Sequence, residues 1–470
     1  MEIIHVSAEC YPVAKAGGLG DVVGALPKYQ NKAGHFAKVV MPMYKTKFLY
    51  DNDWSVDFKG YANMGSWVFE YTIIKETTNK LGFDLYLIDI HGLLDRDGIY
   101  GFDDDTERFT AFQIAFANWL SHWEHQPDVV HCHDHHTALI PFMLQYSYPY
   151  RFMSHIPTVV TIHNAQYQGW MGWNKSHYLP MYDEWKGGML EWDNTINPLA
   201  SGVKCASAVT TVSWSYLDEL RWNSNGLEAL FEYERGKCRG ILNGIDYEVW
   251  NPATDPFLKL KYSTRNISKG KSENKKFVCD EFGLDATKPL VVFIGRLVGE
   301  KAADILPDAI AAALYASNHE CCFMILGSGD PHVEGRLNEM KNHFGDKYNV
   351  YIGYHEGLSH QLYAAADFLL MPSRVEPCGL NQMYALRYGT VPMVRSTGGL
   401  IDTVTDIGDG GFGLRFNHAT VHDIVYTVQR AVELYKSKNA MLKIRKDMMK
   451  VDHSWEGAVQ QYLDLYSSLK

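Results

Sequence analysis

Two cations stand close together in GRLVGEK (295–301), where Arg296 and Lys301 follow the apolar run PLVVFIGR (289–296). A run of that kind before a glycine reads as a parallel strand, and it delivers both cations to the strand's carboxyl end, the usual ligand crevice of an open α/β sheet. There they could neutralise a diphosphate through charge-assisted hydrogen bonds of about 1.5–3 kcal/mol each. A second phosphate feature is STGGLIDTV (396–404), a strand, a Gly398-Gly399 turn and then a helix. Backbone N–H groups from Thr397 to Leu400 could donate to phosphate oxygens there. A surface Arg and Lys beside an ordinary glycine turn is the competing reading.

In SRVEPCGLNQMYALRYGT (373–390), Glu376 follows an apolar strand and precedes a helix that begins near Gly379. A carboxylate at that place is stabilised as an anion, and the amides of Cys378, Gly379 and Leu380 could bind hydroxyls or oxygens. A plain helix-start acid fits the same residues. His163 and Asn164 end the run TVVTIHN (158–164), where a histidine serves packing as readily as chemistry. KAGGLGD (15–21) joins Lys15, a point charge, and Asp21, an acceptor, through Gly17 and Gly18, which let backbone approach a ligand closely. A tight structural turn would look alike.

Other motifs fail on spacing. Gly18, Gly20 and Gly24 give GxGxxxG, one residue too long for a nicotinamide fingerprint, and the second strand ends in Met41-Pro42-Met43-Tyr44 without a ribose-binding acid. Gly270-Lys271-Ser272 lacks the upstream glycine of a phosphate loop, since that position is Arg265. HEGLSH (355–360) cannot set two histidines on one helical face. His131, His133, Asp134, His135 and His136 are good ligands, but alternate residues of a strand point to opposite faces, so only a subset could share an ion. A polar strand end lining a cleft is the expectation, with no metal site. Asp95-Arg96-Asp97 and Asp103-Asp104-Asp105 read as exposed loop.

The elements that must position these residues are short β-branched runs, each followed by a break and a helical pattern, which is how parallel strands with crossover helices are written. The first series is 2–7, 37–42, 83–89, 127–134, 158–164 and 207–213; the second is 289–296, 321–329, 349–354, 367–373 and 390–396. Two series predict an α/β chain of two Rossmann-like domains, 1–245 and 246–454, with a boundary near Asn243–Pro252. The basic stretch 259–276 reads as a solvated surface segment, and 455–470 as a helix.

Composition bounds the partners. The 470 residues carry a formal charge of −11, which disfavours nucleic-acid phosphates, and no stretch is apolar enough for a membrane helix. Glu2 stands where a secretory signal would be basic, so a soluble, uncleaved chain is expected. The eight cysteines form no CxxC pair, which suits a reducing cytoplasm.

KAGGLGDVVGALP, HCHDHH, TIHNAQYQG, TVSWSYLDEL, LNGIDYEVWNP, GRLVGEK, EPCGLNQMYALRYGTVPMVRSTGGLIDTV and DHSWEGAVQQYLDLY resemble, in order, the bacterial glycogen synthase and plant starch synthase family. The resemblance implies the GT-B architecture, two Rossmann-like domains facing each other across a deep cleft, with the helix 455–470 returning to the first. It implies transfer of glucose from ADP-glucose to the nonreducing end of an α-1,4-glucan, with retention, no cofactor and no divalent ion. Lys15 would lie near the donor diphosphate with Asp21, Gly17 and Gly18 alongside; Arg296 and Lys301 would hold the diphosphate. Glu376, with Cys378, Gly379 and Leu380, would grip the glucosyl unit, and His163 would contact it from the opposite wall. Tyr354 matches the residue that packs on adenine, Asp134 an acidic cleft residue, and Asn164, Asn243, Thr397, Gly398 and Gly399 further substrate contacts.

Departures from the family pattern are Ala16 for a threonine in the glycine loop, Asp134-His135-His136 where a tryptophan is usual, and Trp214 for a proline. They bear on acceptor contacts and loop shape, and none removes a charged donor residue. The aromatic segment 167–192 could stack on glucan rings or pack as loop. The same chemistry on UDP-glucose or another acceptor, and a nonenzymatic nucleotide-sugar or glucan binder, are the alternatives.

Overall fold

The computed structural model describes residues 1–470. The chain divides into two compact units, 1–244 with 455–470, and 245–454. Each is built on its own largely parallel sheet.

In the first unit the strands are β1 (Glu2–Val6), β2 (Phe36–Pro42), β3 (Trp54–Met64), β4 (Trp67–Glu76), β5 (Asp84–Asp89), β6 (Val129–His133), β7 (Thr158–Ile162), β10 (Ala208–Thr211) and β11 (Cys238–Gly240), with a separate two-stranded ribbon of β8 (Glu191–Trp192) and β9 (Thr195–Ile196). The order across the nine-stranded sheet is β11-β10-β7-β6-β1-β2-β5-β4-β3. β1 pairs in parallel with both β2 and β6, so chain direction across the sheet reverses between β1 and β6. That is the point where helices on the two faces diverge and leave a crevice at the strand ends.

The predicted strands are all present, but β3 and β4 are additions at the edge. They form an antiparallel hairpin closed by Gly65 and Ser66, with φ of 62° at Gly65. Their alternation of exposed and buried residues shows a sheet edge with one wet face, a pattern that lacks the continuous apolar run of the inner strands. The helix Trp455–Ser467 packs on the helix Gly18–Lys32, burying Trp455, Tyr462 and Tyr466 among Ile3, Val22, Leu26 and Val129. Burying an aromatic of this size contributes a few kcal/mol, roughly 1.5–3 for a Phe-sized side chain.

The second unit carries β12 (Leu290–Ile294), β13 (Cys322–Gly327), β14 (Tyr348–Ile352), β15 (Phe368–Met371), β16 (Val391–Arg395) and β17 (Leu414–Phe416), all parallel, in the order β14-β13-β12-β15-β16-β17. Numbered within the unit this is 3-2-1-4-5-6, the doubly wound arrangement, and its switch point lies between β12 and β15. Val291, Phe293, Phe323, Ile325, Leu370 and Met393 form the core, wedged against the flanking helices.

The basic stretch 259–276 departs from expectation. Much of it lies in the helix Ile267–Phe282, and Lys271 and Lys275 are buried. The Lys275 ammonium donates to Asp367 at 2.8 Å, and Lys271 donates to Thr390 Oγ1 at 2.6 Å and to the Tyr363 carbonyl at 3.2 Å. Asp367 also pairs with Arg445 and accepts the Leu290 amide at 2.8 Å, tying the start of β15 to the start of β12. A cationic run reads as solvated only while its buried acid, far away in sequence, is out of view. Lys271, with no carboxylate of its own, is pushed well below the ordinary lysine range by burial.

Because Asp367 faces a buried lysine and a partly buried arginine, Asp367→Asn should destabilise the second unit by about 3–5 kcal/mol. Hydrogen exchange along β12 and β15 in urea would show protection lost at lower denaturant, with β1 and β6 unchanged. An unaltered midpoint would contradict this account.

Candidate functional site

The sequence-predicted residues stand past the carboxyl ends of the strands of each sheet, most of them beside the switch points, with Asn243 and Tyr354 past the outermost strands β11 and β14. In the first unit, the segment after β1 bends back so that a buried carboxylate, Glu9, accepts the amides of Ala16 and Gly17 at 2.7 and 3.0 Å. Tyr100 donates its hydroxyl to the other Glu9 oxygen at 2.7 Å. Glu9 therefore holds the glycine loop in shape, and Lys15, on that loop, donates to Asp21 at 2.7 Å. Gly24 is required for packing: a Cβ there would stand 2.4 Å from the Tyr11 carbonyl oxygen. The sequence reading missed Glu9. Its signal was an acid three residues after an apolar strand and six before Lys15.

Across the switch point, β6 ends at His133 and Asp134 follows with φ of 58°, an uncommon conformation for a non-glycine residue. Its carboxylate accepts the amides of His163 at 2.7 Å and Asn164 at 3.4 Å, so the end of β6 holds the end of β7. Burial pushes the Asp134 carboxyl up to about 7, with those two amides pulling the other way. The strained backbone is maintained because it aims the carboxylate at the His163 amide.

His131 and His133 do not line an open strand end. Both are fully buried, their rings stacked with centroids 4.3 Å apart, and each uses both nitrogens. His133 bonds His5 Nδ1 at 3.0 Å and His163 Nε2 at 3.0 Å. His131 bonds Tyr466 Oη at 2.6 Å and Thr161 Oγ1 at 2.5 Å. His5, His131 and His133 lie close enough to share an ion. The nitrogens of all three are already engaged, which favours a hydrogen-bonded chain. Burial holds His163 down to about 3 and His5 to about 4, and keeps His131 and His133 well below the usual histidine range. His163 is therefore a neutral hydrogen-bonding ring. His136 packs against Tyr100 and Phe109, and Asn243 is buried with its Oδ1 unpartnered. In the aromatic segment Trp170 and Trp185 are exposed, while Trp192 is tied down by its bond to the Gly226 carbonyl.

In the second unit, Arg296 and Lys301 follow β12, and Glu376 follows its hydrogen-bonded neighbour β15. Lys301 donates to Glu376 Oε2 at 2.6 Å, and Ser373 Oγ donates to the same oxygen at 2.8 Å. Arg374 braces this corner, its amide bonding the Glu300 carbonyl and its guanidinium pairing with Asp304. Arg296 projects to solvent beside Glu300 at 3.6 Å. Tyr354 is exposed after β14.

The glycine pair 398–399 differs from the expected anion cradle. The amides of Thr397, Gly399 and Leu400 bond the carbonyls of Arg395, Glu376 and Thr397. The glycines are needed instead for contact with the Glu376 segment. A Cβ on Gly398, whose φ is 46°, would stand 2.1 Å from the Glu376 carbonyl oxygen, and one on Gly399 would stand 2.2 Å from that of Cys378. The pair thus positions Glu376. The amides of Gly379 and Leu380, by contrast, make no hydrogen bond within the chain.

Comparison with known proteins identifies the family and the fold. Residues 2–233 match the starch synthase catalytic domain family, and residues 274–447 match the glycosyl transferases group 1 family. A glycogen synthase of Flavobacterium johnsoniae is 52% identical over 467 residues, 99% of each chain. A glycogen synthase of Streptococcus pneumoniae is 37% identical over the full length of both. Among solved structures, the catalytic domain of starch synthase IV from Arabidopsis thaliana, bound to ADP and acarbose, superposes with a TM-score of 0.91 at 32% identity, covering 100% of this chain and 99% of that one. A sucrose-phosphate synthase from Thermosynechococcus elongatus, at 17% identity and a TM-score of 0.66 over 100% of this chain and 98% of that one, shares the fold.

The buried histidines make a pH prediction. Unfolded, each titrates near 6.5; folded, His5 and His163 titrate at about 4 and 3. The unfolded state therefore takes up protons first as pH falls. Stability should be level above about pH 7 and drop below about 6.5, by about 1.4 kcal/mol per pH unit for each histidine. Asp134, whose carboxyl is raised when folded, works in the opposite sense and offsets one of them. Calorimetric melting between about pH 4 and 8 reads the slope; a flat profile would show these rings to be solvated.

Proposed function

The chain belongs to the glycogen synthase and starch synthase family of GT-B glycosyltransferases, and we propose that it transfers glucose from ADP-glucose to the nonreducing end of an α-1,4-glucan with retention of configuration. The observation that carries this reading is the Lys301–Glu376 contact beside Arg296 at the switch point of the second sheet. Expelling ADP leaves negative charge on a phosphate oxygen. Cations fixed where that charge develops lower the barrier, because they are oriented before the bond breaks.

On this reading Arg296 and Lys301 hold the diphosphate, and Lys15 supports it from the glycine loop. The ammonium of Lys301, already on Glu376, shifts toward the phosphate oxygens when the donor binds. Glu376 then keeps one oxygen on Ser373 and offers the other to the glucosyl hydroxyls, with the amides of Gly379 and Leu380 beside it. Tyr354 covers the adenine. His163, neutral at working pH, contacts a sugar hydroxyl as a hydrogen-bond partner and exchanges no proton with the leaving group. The acceptor hydroxyl loses its proton to the departing phosphate oxygen on the same face, which retains configuration without an enzyme nucleophile. The reading calls for no divalent ion.

Cytoplasmic location suits the chemistry of the thiols, all eight of which are free and buried. No helix is long and apolar enough to cross a membrane.

Two measurements test the function. Labelled glucose should enter glycogen from ADP-glucose in the presence of a chelator, and faster than from UDP-glucose; a preference for the uridine donor would move the chain to the rival reading. Glu376→Ala should fold with an unchanged circular dichroism spectrum yet lose about 100-fold or more of its transfer rate, the order seen when a preorganised polar group is removed from an active site. Full activity in that variant would remove Glu376 from the site.

A further inference from the structure

We propose that Gln30 is a positioning residue that acts through His5 and His133 to fix which nitrogen of His163 carries the proton, so that His163 presents Nδ1 to the transferred hexose as a hydrogen-bond acceptor. This rests on the reading of His163 as a sugar contact; the order of protons along the chain of rings does not.

The four side chains form an unbroken line through the core of the first unit. Gln30 Oε1 stands 2.7 Å from His5 Nε2, His5 Nδ1 stands 3.0 Å from His133 Nε2, and His133 Nδ1 stands 3.0 Å from His163 Nε2. Gln30, His5 and His133 are fully buried, and His163 is 9% exposed. A neutral imidazole has one N–H and one lone pair. Each ring–ring contact therefore needs a donor on one side and an acceptor on the other, and a choice made at one end propagates to the other.

That choice is made by the amide of Gln30. Its Nε2 donates to Tyr466 Oη at 3.3 Å, which leaves Oε1 to accept from His5. His5 then carries its proton on Nε2 and accepts at Nδ1 from His133 Nε2–H. His133 in turn accepts at Nδ1 from His163 Nε2–H, and the lone pair of His163 is left on Nδ1, the open end of the line. The side branch has the same polarity. Tyr466 passes its hydroxyl proton to His131 Nδ1, and His131 Nε2–H donates to Thr161. Reversing the amide would reverse every bond in both branches and turn His163 Nδ1 into a donor. Burial disfavours a second proton on any of the rings, so the line holds one polarity at a time.

Nothing in the proposed reaction uses Gln30, His5 or His133 directly, and a hydrophobic core has no need of three polar side chains in series. A hydroxyl of the hexose that donates to His163 finds an acceptor in place before it binds, without the cost of reordering protons afterward.

The test uses the full chain with ¹⁵N-labelled histidine, the ring signals of His163 being assigned by their loss in His163→Gln. His163 should show one neutral tautomer, protonated on Nε2. Gln30→Glu, which can only accept, should keep that tautomer. Gln30→Met, which can neither accept nor donate as an amide does, should give a mixture, and its kcat for transfer from ADP-glucose should fall about tenfold with KM little changed, the loss of one hydrogen bond made in the transition state. Gln30→Glu should recover kcat relative to Gln30→Met. In a His163→Ala background Gln30→Met should cost nothing further, because the effect travels through that ring. A proton on Nδ1 of His163 in the unaltered chain or in Gln30→Glu would overturn the proposal even if Gln30→Met fails to fold. So would additive losses in the double variant. Undiminished transfer by His163→Ala would overturn the sugar contact and the proposal with it, while leaving the donor-binding role of Arg296, Lys301 and Glu376 standing.

Discussion

A carboxylate buried at the mouth of a parallel sheet is stable only if donors or cations face it, because the desolvation of an unpaired charge costs several kcal/mol. The two sheets meet this constraint in different ways. Glu9 is satisfied by amides and a tyrosine hydroxyl, all from fixed parts of the chain, and its whole effect is to give the glycine loop one shape. Glu376 is satisfied by a serine hydroxyl and by the ammonium at the end of the long Lys301 side chain. Both acids stand past strands that flank a switch point, Glu9 after β1 and Glu376 after β15, and what distinguishes them is that backbone amides hold one and side chains hold the other.

Much of this organisation was legible in the sequence because buried parallel strands are written as uninterrupted apolar, β-branched runs. The polar residues singled out in the sequence do stand past the ends of those runs: Arg296 after β12, Glu376 five residues after β15, Asp134 after β6 and His163 after β7. What escaped was of another kind. The hairpin of β3 and β4 has one face in water and so alternates like a surface segment. The lysines at 271 and 275 are buried because Asp367 and Thr390, just before β15 and β16, come to them, and pairings over 92 and 119 residues leave no local trace. The Gly-Gly turn at 398 reads in sequence as an anion cradle, because nothing local shows that the strand exit carrying Glu376 and Cys378 lies against both glycines.

The histidines show the same limit from the other side. HCHDHH has the composition of a metal site, and alternation along β6 does bring His131 and His133 onto one face. Composition cannot reveal that β1 contributes His5, that the helix Gly18–Lys32 contributes Gln30, and that the final helix contributes Tyr466. Those partners convert three candidate ligands into a column of neutral rings whose nitrogens are all spoken for.

The return of the last helix to the first unit has a consequence for biosynthesis. A nascent polypeptide emerges amino end first, and the strands of the earlier sheet leave the ribosome long before Trp455, Tyr462 and Tyr466 exist. Until translation finishes, the groove on the helix Gly18–Lys32 stands open and the imidazole column lacks its phenolic neighbour. The intervening unit, whose 245–454 segment is continuous, can complete its own core sooner. The portion made first is therefore the portion completed last, and a ribosome stalled inside the second sheet would leave an apolar groove for chaperones to guard.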